Sequence, residues 1–163
     1  MKFFAPLAAA LLLSLPAVAQ HKHVHGEGRL DVAIDGDTIA LMLELPLDSV
    51  VGFERAPRNA REKDALAHAE KLFGDAAALF APTPAAACAV QSVELEMPRF
   101  AGGAHADVRA HYVFRCANPA ALKSIGTTLF QHFKRLYRLE TQRVGPVGQG
   151  ARRLTPKKPV LSW

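Results

Sequence analysis

VHGEGRLDVAIDGDTIALMLEL, residues 24–45, is the stretch that decides the fold. Val24, Gly26, Gly28, Leu30, Val32 and Ile34 take every second position, with His23, His25, Glu27, Arg29 and Asp31 between them. Successive side chains of an extended chain point to opposite sides. A period of two therefore marks a half-buried strand, here with the histidines on its polar face. Asp35-Gly36-Asp37 is a hairpin signal, and Thr38 to Leu45 supplies the return strand. Pro46 ends it, because proline cannot donate to a ladder.

A second alternating segment lies downstream. Ala106, Val108, Ala110, Tyr112, Phe114 and Cys116 form its apolar side, and His105, Asp107, Arg109, His111 and Arg115 the polar one. Between the two, Asn59 is a helix cap with Glu62 three residues on, and Leu66, Ala69 and Phe73 make an apolar stripe closed by Gly74. Asp75 to Phe80 reads as a further helical turn, and Cys88 to Met97 as a weakly alternating strand. Leu129, Phe130, Phe133 and Leu136 repeat at helical spacing, Leu139 to Val144 reads as a strand, and the tail gives one or two short strands. The expected fold is a single α+β domain, a mainly antiparallel β-sheet with one main helix packed on it.

Length and composition bound the rest. The chain has 163 residues, half of them hydrophobic, which suits one domain with a real core. Lys2, the apolar run from Phe3 to Leu15 and the small residues Ala17-Val18-Ala19 predict a signal peptide over 1–19, cut before Gln20. Residues 20–163 are then the folded domain. No apolar run is long enough to span a bilayer as a helix, so no transmembrane segment is expected. From Lys123 onward nine Lys and Arg face Glu140 alone, a basic stretch read first as a solvated face. Nucleic acid is not an expected partner, since no helix-turn-helix or RNA-binding signature accompanies these charges. In an oxidising compartment Cys88 and Cys116 read as one disulfide; the other reading, a pair of soft metal ligands, lacks a CxxC spacing.

The histidines carry the candidate chemistry. His21, His23 and His25 stand at spacing two, and H-x-H on an extended chain aims two imidazoles at one cation. His105, Asp107 and His111 share one strand face, but six residues of strand put about 20 Å between His105 and His111, too far for one ion. The economical site sets the leading histidines beside His105 or Asp107 of the later strand. His68 and His132 are read as structural. H-x-H alone does not select zinc over copper or nickel. Catalysis is not expected: G-x-S-x-G, H-E-x-x-H, a P-loop and a dinucleotide fingerprint are all missing, and no spacing pairs Glu44, Glu54, Glu94 and Glu96 as acid and base.

His23-Val24-His25-Gly26 before an alternating strand, Gly52-Phe53-Glu54-Arg55-Ala56-Pro57, Ala87-Cys88, and His105-Ala106-Asp107 running to Tyr112-Val113-Phe114-Arg115-Cys116 resemble the ZrgA-type periplasmic zinc-uptake proteins. Gln149-Gly150 and Leu154 extend the likeness almost to the end. The resemblance implies a zinc-binding accessory protein of the Gram-negative periplasm, assisting delivery to a zinc ABC transporter or its binding protein. Two departures stand out. A long His/Asp-rich insertion before the H-x-D strand is reduced here to Arg99–Ala104, which argues against high-capacity storage. The motif G-F-E usually continues with His, and here Arg55 follows, with no lone pair to offer a metal. Glu54 remains as ligand or as an acceptor behind one. The expected ligands are therefore His23, His25 and His105 as neutral imidazoles, with Asp107 or Glu54 as oxygen donor or orienter. The alternative is a disulfide-stapled interaction module without metal.

Overall fold

Gly36, at φ +55°, closes the first hairpin and sets Asp35 opposite Thr38. The computed structural model describes residues 24–100 and 106–163, so the expected leader over 1–19 lies outside it. The hairpin joins β1 (Glu27–Asp35) to β2 (Thr38–Pro46). Three helices follow: α1 (Leu47–Val51), α2 (Ala60–Phe73) and α3 (Ala76–Leu79). The chain continues through β3 (Phe80–Pro82), β4 (Cys88–Glu96), β5 (Asp107–Cys116), β6 (Ser124–Thr127) and α4 (Leu129–His132). It ends with β7 (Arg138–Gly145), β8 (Gly148–Leu154) and β9 (Val160–Ser162).

Six strands form the main sheet in the order β4-β5-β2-β1-β7-β8, and β3-β6-β9 form a small second one. Every neighbouring pair is antiparallel except β1 with β7. The fold is α+β and mainly antiparallel, as the alternation implies. Leu30, Val32, Ile39, Leu41, Leu43 and Leu45 of the hairpin are buried on one face, together with Val108, Ala110, Tyr112 and Phe114 of β5. Each such side chain contributes about 1.5–3 kcal/mol through burial. They share a core with Ala69 and Phe73 of α2 and Leu79 of α3. Phe73 stacks on Phe133 at 4.9 Å, and Phe80 tilts onto Tyr112 at 5.2 Å. The other sheet face is open, with Met42 59% and Val144 57% exposed.

Cys88 and Cys116 are directly opposite in the β4–β5 register and form a disulfide. That geometry settles the choice left by the sequence in favour of the covalent pair. The helical spacing at 129–136 yields only the single turn of α4; Phe133 and Leu136 reach the core from the irregular chain after it. Helix α1 follows Pro46 without a gap, and its five residues are too few to show a helical period.

Arg55, where a histidine was expected, has a structural use. Asn59 Oδ1 caps α2 by accepting from the Glu62 amide at 2.9 Å. The Glu62 carboxylate takes both terminal nitrogens of Arg55, at 2.7 and 2.8 Å, and accepts from the Arg58 amide at 2.7 Å. The box is thus closed one residue earlier than the usual reciprocal cap. The Arg55 guanidinium, then the Arg58 amide, pull the Glu62 carboxyl from 4.5 to about 2. A lowered folded-state value means that this stabilisation is complete above the ordinary carboxylate range and is lost as pH falls towards about 2. Glu62→Gln should therefore melt a few degrees below the parent at neutral pH, with the gap closing by about pH 2. A gap that persists unchanged in acid would contradict this role.

Candidate metal centre

The His25–Gly26 turn is clamped from two sides. The Gly26 amide donates to Ser49 Oγ of α1 at 2.8 Å, and Ser49 is fully buried. The Gly26 carbonyl accepts from the Tyr137 and Arg138 amides at 2.9 and 3.2 Å, at the start of β7. Gly26 has φ +81°, and a Cβ there would lie 2.1 Å from the Tyr137 ring. Only glycine fits, and the imidazole before it is held over α1. Gly52, at φ +87°, ends α1 in the left-handed conformation while its amide donates to the Asp48 carbonyl. The chain then turns back and brings Glu54 towards His25.

Two carboxylates flank the imidazole. His25 Nε2 lies 3.4 Å from Glu54 Oε1, and Nδ1 lies 3.9 Å from Asp48 Oδ2. Glu54 Oε1 is buried and accepts no hydrogen bond among the described residues. A buried carboxylate oxygen without a donor is costly unless a cation or proton meets it. Neighbouring ligands of tetrahedral zinc, at bond lengths of about 2.0–2.2 Å, are roughly 3.3–3.5 Å apart. The Nε2–Oε1 separation matches that edge and exceeds the usual hydrogen-bond range of about 2.7–3.2 Å. Asp48 suits the supporting position at the other ring nitrogen. Its Oδ1 also lies 3.7 Å from the Arg135 guanidinium. With Glu54 and Asp48 negative and Arg135 positive, the immediate charge is −1, favourable for a dication. Glu27 stands aside: its carboxylate is engaged by Arg138, which holds its pKa below the ordinary value.

Of the candidate ligands, the structure brings His25 and Glu54 together. His21, His23 and His105 lie outside the described residues. Asp107 opens β5 opposite Pro46, and its neighbour Ala106 accepts from the Leu47 amide at 2.7 Å, so β5 begins beside the first residue of α1. The Asp107 carboxylate lies 3.8 Å from Arg109 and lines an open groove of about 450 Å³ with Val24, Glu44 and Pro46. His111 stands apart, about 13 Å along β5 from Asp107, opposite Met42 and Glu94. Among the described residues no three His, Cys, Asp or Glu side chains converge as a complete metal site. His25 and Glu54 supply two donors, and a tetrahedral ion needs at least one more from the protein.

Sequence reasoning missed Asp48 and Arg135. Asp48 carries only the weak signal of an acidic residue in a helical first turn after Pro46, and Arg135 none at all. Ser49 could not be found either, since its partner is a backbone amide 23 residues away.

No curated protein matches the chain. A family model described as ZrgA family zinc uptake protein matches residues 22–163, which takes in the His25 turn, the Gly52-Phe53-Glu54 corner and both disulfide cysteines. The chain belongs to the ZrgA family of zinc uptake proteins.

Proposed function

We propose that the protein is a non-catalytic periplasmic carrier that binds zinc and assists its delivery to an ABC importer. Zinc is its cargo. The observation that carries the reading is the His25 Nε2–Glu54 Oε1 pair, set at the ligand–ligand edge of tetrahedral zinc around a buried oxygen with no hydrogen-bond donor among the described residues. His25 and Glu54 are donors, Asp48 orients the imidazole, and His23 and His105 are the remaining ligands. Asp107 belongs to the adjoining groove and serves as an oxygen donor or a support for His105. His21 extends the H-x-H run, and His111 lies too far along β5 to complete the same site. Binding needs neutral imidazoles, so it weakens in acid.

Titration calorimetry of EDTA-stripped residues 20–163 tests the reading. One zinc per chain is expected, with His23→Ala/His25→Ala losing the heat of binding. Competition with copper and nickel tests selectivity, which the donor set alone does not fix. A chain that takes up no divalent metal at neutral pH would leave the interaction-module reading, to which the Cys88–Cys116 disulfide is equally suited.

A further inference from the structure

The open face of the main sheet carries a charge row that crosses all six strands. In register it reads Glu96, Arg109, Glu44, Arg29, Glu140, Arg153, from β4 to β8. The sign reverses at every strand. Within the row Arg109 lies 3.4 Å from Glu44 and Arg153 lies 2.7 Å from Glu140, while Arg29 is held at 2.9 Å by Asp31 of its own strand. Three negative and three positive residues leave no net field, so the row draws neither a polyanion nor a polycation. An alternating row of even length has another property. Read from opposite ends it carries opposite signs at every position, and it is therefore its own complement.

We infer that this face is the contact between two copies of the chain, related by a twofold axis that runs along the strands between β1 and β2. Under that rotation Glu96 meets Arg153, Arg109 meets Glu140, and Glu44 meets Arg29, each on the second copy. The register places two further rows under the same operation. Val113, Ala40, Ala33 and Val144 form an apolar row, with Ser92 and Gln149 at its ends. The axis sets Val113 against Val144, Ala40 against Ala33 and Ser92 against Gln149, so apolar meets apolar and polar meets polar. In the row between, His111 faces Gln142, a donor–acceptor match, while Met42 faces Asp31 at the axis and Glu94 faces Ala151, neither of them a complementary pair. The charged row and the apolar row are each self-complementary, as a twofold contact requires, and they carry the inference. Aligned sheets pack about 10 Å apart with mean strand directions within about 30°, so side chains near the axis keep their register best.

Six strands about 4.8 Å apart and three rows about 6.7 Å apart cover roughly 600 Å² per copy. Standard interfaces bury about 800 Å² per partner, so the dimer is reversible and concentration-dependent. Because the axis follows the strands, the His25–Glu54 ends of both copies lie at the same end of the pair. The inference stands on the sheet register, and Arg29, Glu44 and Glu140 of the row also line the groove that holds Asp107.

Sedimentation velocity on disulfide-bonded residues 20–163, from about 1 to 200 µM, provides the test. The parent should move from monomer to dimer across that range and dissociate more readily in high salt. Glu96→Arg and Arg153→Glu each place like charges at two symmetry-related contacts, and each should raise the dimer Kd at least about tenfold. A 1:1 mixture of the two variants restores complementarity at every position and should dimerise like the parent. Val144→Glu, with an unchanged melting temperature, should remain monomeric. A parent that is monomeric throughout overturns the inference. So does a dimer indifferent to all three substitutions, or a mixture no tighter than its components.

Discussion

Replacing His25 by alanine is expected to lower zinc affinity at least about 100-fold at neutral pH, since even residues behind a ligand are worth about 10–100-fold. The substitution removes an imidazole donor and leaves Glu54 Oε1 buried without a hydrogen-bond donor among the described residues. Glu54→Gln keeps the shape and removes the charge, and should cost about 10–100-fold. Asp48→Asn acts through the imidazole and should cost about tenfold. Competition with a chromophoric chelator reads all three. The zinc-induced rise in melting temperature should vanish in the His25 variant, because a ligand stabilises only in proportion to its binding. A His25→Ala protein that holds zinc like the parent would remove the centre from this turn.

Breaking the Cys88–Cys116 bridge should have the largest effect on stability. The bridge closes a loop between cysteines 28 residues apart, worth about 3–4 kcal/mol on the chain-entropy account. Cys88→Ala/Cys116→Ala should therefore melt roughly 10 °C lower. Strand β4 is an edge strand whose register slips at Val90/Ser92, so its exchange protection should fall first. The bridge joins the end of β5 remote from Asp107, so zinc affinity of the folded variant should match the parent. A loss of zinc binding without unfolding would couple the two ends of the strand and contradict this separation.

The parts of the fold legible in the sequence are those where one side is wet. β1, β2 and β5 alternate because one sheet face is core and the other open, and α2 is framed by Asn59 and Gly74. The parallel pairing of β1 with β7 left no local trace, because strand partners distant in sequence are chosen by the core rather than by neighbours. β3 and β6, of three and four residues, are too short for a period to emerge. The geometry of the candidate corner was legible only in part. His25 and Glu54 stood out as donor types in suggestive motifs, whereas Asp48, Ser49 and Arg135 act through contacts made by folding alone. Arg55 shows the opposite case: a residue marked as a lost ligand is the one that pins the start of α2.

Anomalous scattering at the zinc edge, from crystals of the loaded protein, locates the cargo directly. The expected result is one peak bonded to His25 Nε2 and Glu54 Oε1. A peak at His111, or bound zinc with no density at the His25–Glu54 corner, would contradict the assignment.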